Sequence, residues 1–312
     1  MFEIKRYNQT YKDEWNEFVK QSKNGTFLFD RDYMDYHQDR FLDCSLMFFK
    51  DSKLYALLPA NIKESTLYSH QGLTYGGLIT GTNATSADII VLFEELNAYL
   101  KGKGISRVVY KAIPWIYAKL PSEEDLYAIF RTCEARLSVR EISSTISLKE
   151  PLKWSRDRKY GINRCKNNNV TVEKSDDYAA FWKVLEDNLL STHGVKPVHS
   201  LEEILLLKSR FPENIQLYVA RKGGIVLGGT LLYINRQVVH SQYISASKEG
   251  KALRVIDAIY NVILNEDYRN YPYFDFGKST EDGGKYLNES LIYQKEGFGG
   301  RGVCYDTYEW TL

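Results

Sequence analysis

The chain has 312 residues, 26% of them charged, and a formal net charge of +1. Bulk electrostatics therefore do not make the whole molecule a polyanion binder, and the length accommodates two ordinary domains. Cys44, Cys133, Cys165 and Cys304 contain no C-x-x-C pair, which argues against a zinc site or a disulfide framework and for a reducing compartment.

The opening MFEIKRYNQT lacks the apolar core of a signal peptide. No apolar run approaches the roughly 20 residues of a membrane span, so the expectation is a cytoplasmic protein. In chain order, FEIKRY reads as a strand and YKDEWNEFVK as a helix, and RDYMDYHQDRF (31–41) reads as helical. SLMFFK and LYALLPANI alternate like strands paired across Asp51-Ser52, and STLYSH is a third strand. Thr85 and Asp88 box the start of a helix carrying Ile89, Leu92, Phe93, Leu96 and Leu100, which Gly102 and Gly104 end. RVVYKAI is a strand, EEDLYAIFRTC a helix and TISL a strand.

The same order then repeats. VTVEK (170–174) is a strand, and Ser175 caps a helix carrying Tyr178, Phe181, Trp182, Leu185 and Leu189. Ser200 and Glu203 box a second helix that ends before Pro212. IQLYVAR, IVLGGTLLYI and QVVHSQYISA are strands joined by Gly223-Gly224 and Asn235-Arg236. The spacing of Ile256, Ile259, Tyr260 and Ile263 predicts a helix over 251–264. YFDF is a short buried strand, a helix ends near Gly297, and VCYDTYEWTL closes the chain as a strand. The recurring order suggests a duplication with its boundary near 149–157, giving domains 1–150 and 151–312.

Four segments carry a resemblance. FDFGKST (274–280) resembles a strand-end D-F-G-x-S signature, and QKEGFGG (294–300) an F-K-x-G-F-G corner. RKYGINRCKNNNV (158–170) resembles an R-x-x-I-x-x-A/C-x-K-x-x-x-V segment, and SHQGLTYGG (69–77) a glycine-rich strand turn. In order and spacing these are similar to the FemAB branch of the GNAT acyltransferase superfamily. The resemblance implies an α+β fold of two tandem GNAT-like (acyl-CoA N-acyltransferase) domains, each a mixed central sheet flanked by helices. It implies direct transfer of an acyl or aminoacyl group to an amine, as on a peptidoglycan or other cell-envelope precursor or a nucleotide sugar. The donor, an aminoacyl-tRNA, acyl-CoA or acyl carrier protein, is then a co-substrate, and no tightly bound cofactor or metal is expected. An acyl-CoA-dependent acetyltransferase acting on a small amine or polysaccharide sugar, and a non-catalytic binding protein, are the alternatives on the same fold. The sequence departs from the family at Gln294, where an aromatic residue is usual, and it carries no heptad insert.

Amide formation needs a stabilised oxyanion and an acceptor for the amine proton. The resemblance assigns Lys295 to the oxyanion; read alone, it is a helix-terminal lysine on the last carbonyls. Asp275 faces opposite to Phe274 and Phe276 on its strand, as a cleft residue orienting the amine or as a turn cap. Tyr243 is a proton-relay candidate or a packing residue. The superfamily parts two parallel strands around the acyl arm, here 241–246 and 273–276. Gly250, Lys251 and Arg254 stand where the superfamily binds the CoA pyrophosphate, in a degenerate glycine pattern. The basic run 153–166 supplies Arg158, Tyr160 and Arg164 as contacts to an anionic substrate, or as a solvated helix face. His193 and His199 flank GVKPV, as residues over the cleft with one of them a base, or as loop structure, and Tyr75, Gly76 and Gly77 line a groove or permit a sharp turn.

Overall fold

The computed structural model describes residues 1–312, with the side chains of Thr192 and His193 outside the described set. The chain forms two compact units. The first gathers Met1–Ile142, Thr280–Tyr286 and Cys304–Leu312, and the second gathers Ser143–Ser279 and Leu287–Val303. The units thus differ from the contiguous ranges 1–150 and 151–312, because two segments near the C-terminus fold with the first unit.

In the first unit β1 (Glu3–Arg6) precedes α1 (Lys12–Gln21). β2 (Leu46–Lys50) and β3 (Lys53–Leu58) join β1 and the short strand Ile79–Thr80 in an antiparallel sheet. Their turn places Asp51 at φ 49° and Ser52 at φ 61°, the left-handed pair a two-residue hairpin of matching twist requires. The stretch read as one strand, LYALLPANI, is two. It stops at Leu58 and resumes as β4 (Asn61–Lys63), because Pro59 between them has no amide to donate. β5 (Thr66–Tyr68) pairs with β4, and α2 (Ser86–Gly102) leads to β6 (Arg107–Lys111), which runs parallel to β5. Thr85 Oγ1 accepts the Asp88 amide at 3.2 Å and starts α2. The stripe Ile89, Leu92, Phe93, Leu96 and Leu100 is buried in one cluster with Phe48, Leu58 and Val108. α3 (Glu124–Thr132) and β7 (Arg136–Ser147) follow. The segment read as helical over 31–41 is one short helix, Arg31–Met34, then a 3-10 turn, Asp35–His37.

The second unit opens with α4 (Arg156–Asn167) and β8 (Thr171–Lys174). α5 (Tyr178–His193) is capped by Asp177, whose Oδ1 accepts the Ala180 amide at 3.1 Å. Ser175, expected as the cap, instead accepts the Asp177 amide at 3.1 Å. α6 (Leu201–Arg210) carries the reciprocal Ser200–Glu203 box. β9 (Ile215–Lys222), β10 (Ile225–Ile234) and β11 (Val238–Ala246) form an antiparallel meander. α7 (Lys248–Leu253) and α8 (Val255–Val262) replace the single helix read over 251–264. Arg254 between them adopts φ 64°. β12 (Tyr273–Lys278), α9 (Glu289–Glu296) and β13 (Arg301–Thr311) complete the chain, and Thr307–Thr311 of β13 pair with β6 in the first unit. Within the second unit the strands lie in the order β8-β9-β10-β11-β12-β7. One face of this sheet buries Tyr218, Leu232, Val239, Ile259, Tyr260, Phe274, Phe276 and Phe298 in a continuous cluster.

Candidate active site

β11 and β12 run parallel, as a β-α-β crossover requires, and their pairing stops early. Val238, Val239 and His240 match Tyr273, Phe274 and Asp275, where the shared register ends. β11 continues along β10 to Ala246, while β12 continues along β7, where Lys278 meets Ser143. The two central strands therefore part just past the His240–Asp275 pair. β11 also bulges there. Leu231 faces Tyr243 and Leu232 faces Ser241, leaving Gln242 as the extra residue.

Strand parity assigns side chains around this fork. Val239 and Phe274 sit in the apolar cluster, and Ser241 Oγ lies 3.0 Å from Tyr260 Oη of α8 on the same face. His240 and Asp275 consequently face the other side. The bulge then returns Tyr243 to the His240 face, where its ring packs edge-on against Trp182 of α5, 5.3 Å between centroids.

Asp275 is fully buried. Its Oδ1 accepts Ser143 Oγ at 2.5 Å and Thr145 Oγ1 at 2.8 Å, both from alternate positions of β7, and its Oδ2 lies 2.8 Å from His240 Nδ1. Burial pushes this carboxyl upward, but the His240 hydrogen bond and charge and the two hydroxyls outweigh it and hold the group below the usual carboxylate range. His240 was absent from the sequence candidates. Its strand was legible, but the parallel register that sets it against Asp275 was not.

Lys295 lies in the last turn of α9 with its side chain buried. Its Nζ donates to the carbonyls of Gly277 and Lys278, each at 2.8 Å, and to Ser279 Oγ at 2.9 Å. Three donors meet three acceptors, so the ammonium clamps the diverging end of β12. Burial lowers its pKa to about 8, opposed by the negative charge of Asp275. The glycine-rich corner explains the placement. Phe298 stacks on Phe276 and meets Tyr260 edge-on, at 5.6 Å and 5.1 Å. Burying this ring stabilises the corner by about 2 kcal/mol and fixes the end of α9 against β12. Gly299 supplies the φ of 96° that turns the chain into β13.

The remaining candidates divide into groups. Tyr243 Oη accepts the His199 amide at 3.3 Å and lies 2.7 Å from His199 Nδ1, so these two candidates form one pair. Burial raises the Tyr243 pKa, which keeps the phenol protonated. The side chain of His193 lies outside the described residues. Arg158, Gly250, Lys251 and Arg254 do converge, lining with Gln294 a cavity of about 440 Å³. Its two arginines are already paired with carboxylates, however. Arg158 reaches Asp257 at 2.6 Å and Asp157 at 2.9 Å, and Arg254 reaches the same two carboxylates at 2.8 Å and 2.6 Å. Ser247 Oγ accepts the Gly250 amide at 3.1 Å. Arg158 is thus buried in an internal network, whereas Tyr160 and Arg164 are exposed on α4 beside Arg156, Lys159 and Lys166.

In the first unit Tyr75 is 2% exposed and packs against Phe29 and Tyr117, with its hydroxyl 3.2 Å from Thr26 Oγ1. The expectation that it lines an open groove is corrected accordingly. Gly76 is required because a Cβ there would lie 1.7 Å from the Ser69 carbonyl oxygen, and Gly77 adopts φ 91°. The sharp-turn reading accounts for both glycines.

No family model matches the chain, and no curated protein matches its sequence. Solved structures do resemble it. FemX aligns over 99% of this chain and 97% of its own with a TM-score of 0.68 at 10% identity. The C-terminal domain of a putative lysylphosphatidylglycerol synthetase from Agrobacterium fabrum aligns over 97% and 92%, with a TM-score of 0.61 at 12% identity. A tandem GNAT protein of the clavulanic acid biosynthesis pathway aligns over 100% and 98%, with a TM-score of 0.55 at 9% identity. With two sheet-and-helix units in one chain, this protein has the tandem fold of the GNAT superfamily.

Proposed function

We propose that the protein is an N-acyltransferase of the FemAB type, joining an acyl or aminoacyl group to an amine in one direct step. The observation that carries this reading is the parting of β11 and β12 beside a buried lysine. In such a fork, backbone amides freed from strand pairing can bind the donor's acyl arm. Lys295 supplies the positive field that an oxyanion requires, and a substrate oxygen can replace the Ser279 hydroxyl, the one side-chain acceptor in its shell. Tyr243, held as a neutral phenol, supplies a proton to the leaving group.

A charged tRNA is favoured as donor over acyl-CoA. The arginines that would meet a CoA pyrophosphate are neutralised by Asp157 and Asp257, while α4 exposes a row of basic residues suited to a phosphate backbone. The acceptor is an amine on an anionic cell-envelope precursor or sugar nucleotide.

The test is turnover with alanyl-tRNA and with acetyl-CoA, alongside a thermal-shift screen that adds nucleotide sugars. Alanyl-tRNA is expected to transfer and to bind less tightly as salt rises. Lys295→Ala is expected to lower turnover by at least about 100-fold while the protein stays folded. Transfer from acetyl-CoA alone would select the acetyltransferase alternative. Neither transfer nor stabilisation by any of these ligands would leave a non-catalytic fold.

A further inference from the structure

We infer that His240 is the base that accepts the proton of the attacking amine, with Asp275 as its positioning residue. The inference rests on the acyl-transfer reading and adds to it the residue that performs the proton step.

The argument begins with hydrogen counting. Asp275 sits where its carboxylate form is favoured, and Ser143, Thr145 and His240 reach it through two hydroxyls and a ring nitrogen. An ionised carboxylate has no proton to give. The hydrogen between Asp275 Oδ2 and His240 Nδ1 therefore belongs to Nδ1. When the imidazole is neutral, that N–H is its one ring hydrogen and the lone pair lies on Nε2. The Ser143 and Thr145 hydroxyls hold the second carboxylate oxygen, which fixes the carboxylate plane and, through it, the ring. This is the relation by which an aspartate orients a catalytic histidine in acyl-transfer enzymes of unrelated fold.

The location agrees with the role. His240 and Asp275 are the last paired residues before the strands part. The ring edge bearing Nε2 lies over Gly277. A Cβ on Gly277 would sit 3.4 Å from His240 Cε1 and 3.9 Å from Nε2, and the residue holds φ at 77°. The carbonyl of that same glycine accepts Lys295 Nζ at 2.8 Å. Base and cation thus approach one residue at the fork, the arrangement needed to take a proton from nitrogen while stabilising charge on the adjacent carbonyl oxygen.

The step balances as follows. The amine lone pair attacks the donor carbonyl carbon, forming the C–N bond. The nitrogen's extra proton passes to His240 Nε2. The tetrahedral intermediate collapses, breaking the donor's carbon–oxygen or carbon–sulfur bond, and the leaving atom takes a proton from Tyr243. On product release His240 loses its proton to solvent and Tyr243 regains one.

Two measurements test this. Nitrogen-15 spectra of histidine-labelled protein, with His240 assigned by its loss in His240→Gln, are expected to show the Nδ1–H tautomer, and Asp275→Asn is expected to abolish that preference. An Nε2–H tautomer in the wild type overturns the inference. In turnover assays with alanyl-tRNA and acetyl-CoA as donors, His240→Gln is expected to lower kcat by about 100-fold with KM changed less than about 2-fold. Added imidazole is expected to restore turnover to His240→Ala, which a purely structural histidine would not allow. Transfer by the wild type with kcat intact in His240→Gln removes His240 alone. Absence of transfer by the wild type from both donors removes the acyl-transfer reading and, with it, the role of His240.

Discussion

Single residues decide whether the fork is competent, and Lys295 offers a thermodynamic test. Its folded pKa of about 8 lies below the ordinary lysine value of 10.5, so between those values the unfolded chain holds more protons than the folded one. Stability therefore rises with pH across that window. The gain of wild type over Lys295→Met between pH 7.5 and 10.5 is expected to reach at most about 3 kcal/mol, read from urea midpoints at both pH values. A flat difference would show that the ammonium is not desolvated. Gly76 makes a simpler case. Gly76→Ala drives a methyl into the Ser69 carbonyl and is expected to cost about 1–3 kcal/mol, measured by chemical unfolding, with no effect attributable to binding. The sequence placed Lys295, Asp275 and Tyr243 as candidates because residue type and strand parity are local properties. It did not expose His240, whose significance comes from a partner thirty-five positions away in sequence.

At the scale of elements, local signals were read well wherever the chain's own chemistry ends or turns a segment. The Ser200–Glu203 box starts α6 as expected, and Ser200→Ala is expected to lower stability by about 1 kcal/mol, measured by urea unfolding, with Ser200→Asp restoring most of it. The three long strands of the meander form as read, on either side of the Gly223-Gly224 and Asn235-Arg236 turns. The reading failed where a distant group overrides the local pattern. The apolar spacing of 251–264 is helical throughout, yet Arg254 takes a left-handed conformation there, with its guanidinium held by Asp157 of α4 and Asp257 of α8. The bulge at Gln242 is equally silent in sequence. It moves Tyr243 onto the His240 face, where simple alternation would have placed it opposite.

The whole molecule is less modular than its repeated element order suggests. Residues Cys304–Leu312, which hold most of the last strand, follow the second unit in sequence but fold with the first, where Trp310 joins the apolar cluster and Glu309 pairs with Arg107 and Arg136. Removing residues 304–312 is accordingly expected to unfold the first unit while spending little of the second. Hydrogen exchange is the direct measurement, with protection lost across α2 and β6 and retained across β9 to β11. Uniform loss would show that the two units unfold as one. Among the described residues no helix is long and apolar enough to cross a membrane.

By itself the sequence determined the α+β class, most strands and caps, and the position of a lysine at a glycine-rich corner. Each follows from side-chain periodicity or backbone preference within a few residues. Tertiary structure alone decided that β11 and β12 part after His240 and Asp275, that Arg158 and Arg254 pair with Asp157 and Asp257, and that Cys304–Leu312 fold with the first unit. Those outcomes depend on register, burial and charge pairing between segments far apart in the chain, quantities that exist only once the chain has folded.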